Sequence, residues 1–393
     1  MRYPRIILKK GRDAALRHGH PWLFSGALAS VEGKPEAGEI VLAADAGGRP
    51  LGLGFFGGRD IAFRLLTDDP SARIDADFWQ GRIERALALR KKVVPPDTDA
   101  CRLINAEGDG MPGLVVDRYG GYLVMTIGTA GMEKWRGTII ELLQEMLAPT
   151  AIYERSEGRS RQLEGLSDRI GPAAGEVPET VEIRENGLCF EVDLLAGQKT
   201  GFFLDQRLNR EVVGSCSSEA AVLNCFSYTG AFSVYAARGG ARRVVSVEAS
   251  AAANEIARRN LTRNGCSPEQ HPLVTANVFD YFREVDESFD LIILDPPAFA
   301  KSRKDVARSA RGYKEINLQA ARCLREGGFL ATFSCSNPID PELFEKIVLG
   351  AIRDAGKAAQ LLRTLGPGAD HPVNLAHPEG RYLKGLLLCL HSG

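Results

Sequence analysis

A chain of 393 residues has room for roughly two to four domains, and with 44% hydrophobic and 25% charged residues it has the composition of an ordinary globular protein. No window approaches the roughly 18 uninterrupted apolar residues of a membrane span, and MRYPRIILKKGRD lacks the apolar stretch of a secretory signal, so a cytoplasmic protein with no membrane partner and eight reduced cysteines is expected. A net charge of -1 excludes a globally basic nucleic-acid binder, and the absence of a CxxC pair or zinc-ligand cluster argues against a metal.

Residues 1–72 alternate strand-like runs, EIVLAAD, PLGLGFF and IAFRLL, with Gly and Pro turns, the pattern of a small β-barrel. Past DDPSARID, residues 73–180 predict an α+β module: a helix over 77–93, strands over 113–119 and 122–128, a helix over 133–147 and a strand over 151–155. The run GPAAGEVPET, residues 171–180, reads as a linker. From 181 to 393, apolar strands (AVLNCF, RVVSVEA, PLVTAN, LIILDPP, GGFLATFSCS, LKGLLLCL) alternate with helical stretches. That alternation predicts an α/β, Rossmann-like domain whose parallel sheet is covered by helices on both faces.

Basic residues gather in three places. Residues 1–17 carry Arg2, Arg5, Lys9, Lys10, Arg12 and Arg17; residues 301–314 carry Lys301, Arg303, Lys304, Arg308, Arg311 and Lys314; ERSEGRSR adds Arg155, Arg159 and Arg161. Any one such run is ordinarily a solvated face. Three in a near-neutral chain are candidate phosphate contacts, with Lys301, Arg303 and Lys304 nearest the site described next.

Open α/β sheets bind ligands at the carboxyl ends of their strands. After AVLNCF comes SYTG, where Gly230 stands alone; a dinucleotide fingerprint would need GxGxxG for a pyrophosphate. This suits a cofactor without phosphate, such as S-adenosylmethionine (SAM). Glu248 ends the second strand, where a carboxylate can accept from two ribose hydroxyls, and Asp280 follows the third as an acceptor for an adenine amine. The fourth strand ends in LDPPAF. Pro296 and Pro297 hold the chain extended, Asp295 can accept from the exocyclic amine of a nucleobase, and Phe299 offers a face for stacking.

Taken together, QKTGFFLDQRLNR (198–210), NCFSYTGAFSVYAARGGA (224–241), VEAS (247–250), LDPPAF (294–299) and FSCS (333–336) resemble the consecutive motifs of the bacterial large-subunit rRNA cytosine-5 methyltransferase I family. HPWLFSGAL resembles that family's N-terminal PUA domain, and EGDGMPGLVVDRY its central domain. The resemblance implies a PUA barrel, a central β-β-α-β-β domain and a SAM-binding Rossmann-like domain acting on large-subunit rRNA. It further implies that Thr200, Phe202 and Asp205 border the cofactor, with Asn224, Phe226, Ser227, Gly230, Glu248 and Asp280 around it. A homodimer is left open.

Cys225, Cys323 and Cys389 read as packing residues. Cys335 differs, because it closes a strand on the same carboxyl edge as Asp295. A nitrogen methyltransferase has no need of a thiolate there. Carbon 5 of cytosine, a poor nucleophile, becomes reactive when a thiolate adds to carbon 6. Cys335 is therefore the expected nucleophile and Asp295 its partner in catalysis, with Lys199 a candidate for the cation that favours the thiolate. Many RNA cytosine-5 methyltransferases carry a second cysteine beside the strand-four Asp; here Pro296, Pro297 and Ala298 stand instead. Two other readings are kept: a guanine or adenine nitrogen methyltransferase with Cys335 as packing, and a non-catalytic RNA-binding assembly factor.

Overall fold

The computed structural model describes residues 3–300 and 302–393. The chain gathers into two units, one holding residues through Asn186 with Val192–Phe202 and Ala369–Gly380, the other Gly187–Glu191, Phe203–Gly368 and Arg381–Gly393.

Short strands open the first unit: β1 (Arg5–Leu8), β2 (Trp22–Phe24), β3 (Leu28–Glu32), β4 (Ile40–Ala44), β5 (Pro50–Phe56) and β6 (Ile61–Thr67), with helix α1 (Ala14–Arg17) between β1 and β2. They form one sheet in the order β2-β6-β5-β4-β1-β3, antiparallel except between β1 and β4. Ile6, Leu8, Leu23, Val41, Ala43 and Phe63 close its interior. The strands β4 to β6 match the expected runs, whereas β1 to β3 are too short to show a period.

Helix α2 (Ala76–Val93) starts where Asp75 accepts from the N–H of Phe78 at 3.2 Å, a side-chain cap contributing about 1 kcal/mol. A second sheet follows from β7 (Ala100–Asn105), β8 (Leu114–Tyr119), β9 (Tyr122–Ile127), β10 (Ala151–Ser156) and β11 (Arg169–Ala174), ordered β11-β10-β9-β8-β7. Helices α3 (Ala130–Lys134), α4 (Arg136–Leu147) and α5 (Arg159–Glu164) accompany it. Three expectations change here. The strand β7 precedes the two that were expected; the helix over 133–147 breaks at Trp135; and residues 171–174 of the expected linker belong to β11. Pro172 is tolerated in β11 because that strand is at the edge, where a missing N–H costs no ladder bond.

After a two-stranded ribbon of β12 (Thr180–Glu185) and β13 (Leu188–Asp193), the second unit runs α6 (Arg207–Ser215), β14 (Ala221–Cys225), α7 (Ala231–Arg238), β15 (Arg243–Glu248), α8 (Ala251–Arg263), β16 (Leu273–Thr275), α9 (Val278–Glu284) and β17 (Phe289–Leu294). It ends with α10 (Val306–Cys323), β18 (Leu324–Ser334), α11 (Pro341–Asp354), β19 (Lys357–Leu365) and β20 (Lys384–Ser392). The sheet order is β16-β15-β14-β17-β18-β20-β19. Alternate residues feed opposite faces. Leu223, Val245, Ile292 and Leu294 pack with Tyr313 and Ile316 of α10 and Phe344 of α11, while Val222, Val244, Leu291 and Ile293 pack with Val213 of α6 and Phe232 of α7. Each such buried side chain contributes about 1.5–3 kcal/mol of hydrophobic stabilisation. The sheet is not wholly parallel as expected, because β20 runs antiparallel to both β18 and β19. Strand direction is set by a distant connection and leaves no mark on an apolar run.

Candidate active site

The strand order reverses between β14 and β17, which pair in parallel, so a crevice opens beyond their carboxyl ends. Past β14 the backbone turns sharply: Phe226 and Tyr228 adopt φ of 60° and 48°, and Gly230, at φ 77°, heads α7. A side chain at Gly230 would meet Ala257 Cβ at 2.8 Å, so helix α8 requires glycine there. Non-glycine residues at positive φ are uncommon, and two in one turn are held by their bonds. Ser227 N–H donates to the Val247 carbonyl at 3.2 Å and Tyr228 N–H to Glu248 Oε2 at 2.9 Å.

Glu248 is half-buried at the end of β15, and its Oε1 accepts from Ser250 N–H at 2.9 Å. One backbone donor on each oxygen fixes the carboxylate and leaves acceptor capacity on both for ligand hydroxyls. Asn224 is buried, donating through Nδ2 to Ser233 Oγ at 2.8 Å. Among the described residues, no partner satisfies the buried Asn224 Oδ1, Ser227 Oγ or Thr229 Oγ1. Orphaned buried polar atoms of this kind are unusual and fit a polar ligand.

The other expected cofactor residues divide. Thr200 and Phe202 fall in the first unit. There the buried Thr200 hydroxyl donates to Asp117 Oδ2 at 2.6 Å and meets the Tyr119 hydroxyl at 2.7 Å, while Phe202 N–H donates to that phenol at 3.3 Å. Arg102 grips the same Asp117 through two bonds of 2.8 and 3.0 Å. Asp205, buried in the second unit, accepts from the Tyr382 hydroxyl at 2.6 Å. Asp280 is exposed in the first turn of α9, where Arg283 donates to it at 2.5 Å. The first polar residue past β16 is Asn277, two positions on, which caps α9 by accepting from Phe279 N–H at 2.9 Å. Its signal in the sequence was being the first polar side chain after that strand.

Beyond β17, Asp295 is half-buried and Pro296 buried. Cys335 follows β18 directly, half-buried between two fully buried serines, with Sγ 4.0 Å from the Pro296 carbonyl oxygen. Ser336 Oγ accepts from Ala300 N–H at 3.1 Å and meets the Tyr313 hydroxyl at 3.0 Å, and Ser336 N–H donates to Ser334 Oγ at 3.3 Å. These bonds tie the loop carrying Asp295 to the turn carrying Cys335. Phe299 packs on Tyr313, with ring centroids 4.7 Å apart, and faces Phe279 at 6.3 Å.

Lys199 belongs to the first unit. The cation that faces Cys335 within the second unit is Lys384, which sequence reasoning missed. Burial pulls its ammonium down to about 8, with Cys335 and Asp340 acting in the opposite direction. By contrast, burial pushes the thiols of Cys225 and Cys323 up, as suits packing residues. Lys304 is exposed, whereas Lys301 and the side chain of Arg303 lie outside the described residues. Among the described residues, no helix is long and apolar enough to cross a membrane, and no group of three or more His, Cys, Asp or Glu could hold a metal ion.

Comparison with known proteins agrees with this architecture. Residues 119–362 match the family model of S-adenosylmethionine-dependent methyltransferases, and residues 6–68 that of PUA-like domains. Proteins named ribosomal RNA large subunit methyltransferase I are similar over nearly the whole length: 43% identical in Aeromonas salmonicida and 42% in Shewanella amazonensis, each over 98% of both chains. The Klebsiella pneumoniae protein of that name is 40% identical over 98% of this chain and 97% of its own. Among solved structures, a proposed SAM-dependent methyltransferase from Streptococcus mutans superposes with TM-score 0.83 at 24% identity, covering 98% of this chain and 99% of that one. A proposed methyltransferase complexed with SAH superposes with TM-score 0.84 at 24% identity and the same coverage, and these two show the fold. With a crevice suited to a phosphate-free cofactor, a PUA-like barrel ahead of it and full-length relatives above 40% identity, the chain belongs to the ribosomal RNA large subunit methyltransferase I family of SAM-dependent methyltransferases.

Proposed function

We propose that the protein methylates carbon 5 of a cytosine in large-subunit ribosomal RNA through a covalent adduct at Cys335. The observation that carries this reading is the pairing of Cys335 with the Asp-Pro-Pro loop: the sulfur lies 4.0 Å from the Pro296 carbonyl, and the Ala300 to Ser336 bond locks the two segments together. A target base turned out of its stack enters the crevice edge-on to Asp295. Glu248 binds ribose hydroxyls of the cofactor, and Ser227, Asn224 and Asn277 supply polar contacts around it. When bound, the cofactor supplies an electrophilic methyl group.

The Cys335 thiolate adds to carbon 6, forming a carbon–sulfur bond, while a proton shared between Asp295 and ring nitrogen N3 neutralises the charge that develops there. Carbon 5, now the nucleophilic end of an enamine, would take the methyl group as its bond to the cofactor's sulfonium sulfur breaks to leave a neutral thioether, and the proton at N3 would return to Asp295 when the thiolate leaves. Loss of the carbon-5 proton to a base then breaks the carbon–sulfur bond and returns the thiolate. The basic run of Lys301, Arg303 and Lys304 binds RNA phosphates, with the N-terminal barrel contributing to RNA binding.

RNA carrying 5-fluorocytosine at the target tests the mechanism, since fluorine replaces the proton that must leave. A protein–RNA adduct that survives denaturing electrophoresis and maps to the Cys335 peptide is expected. Cys335→Ala should keep SAM and RNA binding but lose methyl transfer. A nitrogen-methylated nucleoside, made at full rate by Cys335→Ala, would overturn the mechanism in favour of a nitrogen methyltransferase.

A further inference from the structure

Lys384 opens β20 with a charge in an otherwise apolar strand, and its partner in register across the sheet is Ser334, the residue before Cys335. The side chain is 5% exposed. Its Nζ donates to the carbonyl oxygens of Ser336 and Ile339, each at 2.7 Å. Two carbonyl dipoles satisfy two of the ammonium's three N–H groups without carrying formal charge, and the groups that favour its charged form are Cys335 first and Asp340 second. Cys335 is the residue between Ser334 and Ser336, both of which Lys384 engages through register or hydrogen bond.

We propose that Lys384 is the positioning residue that holds Cys335 as a thiolate, its ammonium pinned by the Ser336 and Ile339 carbonyls so that it faces the sulfur. The role deepens the proposed function and rests on Cys335 as the nucleophile. The surroundings otherwise oppose ionisation of the thiol. Asp295 follows β17, Asp340 caps α11 by accepting from Leu343 N–H at 2.8 Å, and the Tyr313 phenol of α10, pushed up by burial, stays neutral. The Pro296 carbonyl also turns its oxygen toward the sulfur. With the Pro296 carbonyl oxygen directed at the sulfur, a fixed cation nearby is what favours the thiolate. Cys335 in turn favours the charged form of Lys384, so the two side chains interact electrostatically.

The test uses the full chain without RNA. The rate of Cys335 alkylation by iodoacetamide, read by peptide mass spectrometry from pH 5 to 10, gives the thiol's midpoint. In Lys384→Met that midpoint should rise by a unit or more, so that alkylation at pH 7 slows about tenfold. Equal midpoints overturn the role. Should Lys384→Met fail to fold by circular dichroism, the reciprocal measurement decides: in Cys335→Ser, the midpoint for acetylation of Lys384 should fall, and an unchanged midpoint overturns the role. Failure of the covalent mechanism is read separately by the 5-fluorocytosine adduct. A shifted midpoint without an adduct sinks the mechanism alone, and an adduct without a shift sinks only the role of Lys384.

Discussion

The peptide N–H of Tyr228 donates to Glu248 Oε2 at 2.9 Å, so the carboxylate at the end of β15 also holds the left-handed turn that follows β14. Glu248→Ala removes the proposed ribose acceptor and a turn anchor together. SAM affinity measured by calorimetry should weaken by about 1.5–3 kcal/mol, the range for hydrogen bonds to a charged group. Unchanged affinity would remove Glu248 from the cofactor site.

Replacing Lys301, Arg303 and Lys304 together by Ala should weaken RNA binding and flatten its salt dependence. Each phosphate contact to single-stranded RNA contributes about 0.7 to the slope of log affinity against log salt, so loss of three should reduce that slope by about 2. A slope equal to that of wild type would make this run a solvated face.

Ser336 accepts from Ala300 N–H and meets the Tyr313 hydroxyl in a fully buried setting. Ser336→Ala strands the Ala300 N–H and takes one of the Tyr313 hydroxyl's two serine partners, a cost of about 1–3 kcal/mol. Urea denaturation should register that loss. Methyl transfer should fall further than stability, because the same bond aligns the Asp295 loop with Cys335.

His271 is buried and accepts from Val244 N–H through Nδ1 at 3.1 Å, so the fold holds the neutral ring, and burial lowers its proton affinity below the ordinary 6.5. The unfolded chain therefore binds the proton more readily than the folded one between those two values. Stability is greatest above about pH 6.5 and declines as the pH drops below it toward the folded value. In His271→Asn this part of the decline should disappear from urea midpoints compared between pH 7 and pH 5.

Reading the sequence worked where the evidence is local. Glu248 and Asp295 each end an apolar strand, and the strand, the stop and the carboxylate lie within a few consecutive residues. Thr200 shows the opposite case: its hydroxyl is taken by Asp117, 83 residues earlier, a pairing that no local pattern encodes. The edge strand β19 has five consecutive exposed positions, so KAAQLLRTL carries no inward–outward alternation to reveal it. Lys384 was visible only as a lone charge at the head of an apolar run. Its meaning depends on the antiparallel register of β20 with β18, which is set by a connection of 18 residues between Leu365 and Lys384.

That register has a consequence for the life of the nascent chain. Although β20 is the last strand of its sheet in chain order, it is an interior strand, seated between β18 and β19. As synthesis proceeds from the N-terminus, the cofactor crevice of β14 to β17 can assemble while β18 still presents an open edge and β19 has no neighbour. Strand β20 completes both ladders at once and brings Lys384 into register with Ser334, the neighbour of Cys335. A product truncated before Lys384 is thus left with unpaired strand edges that recruit other chains.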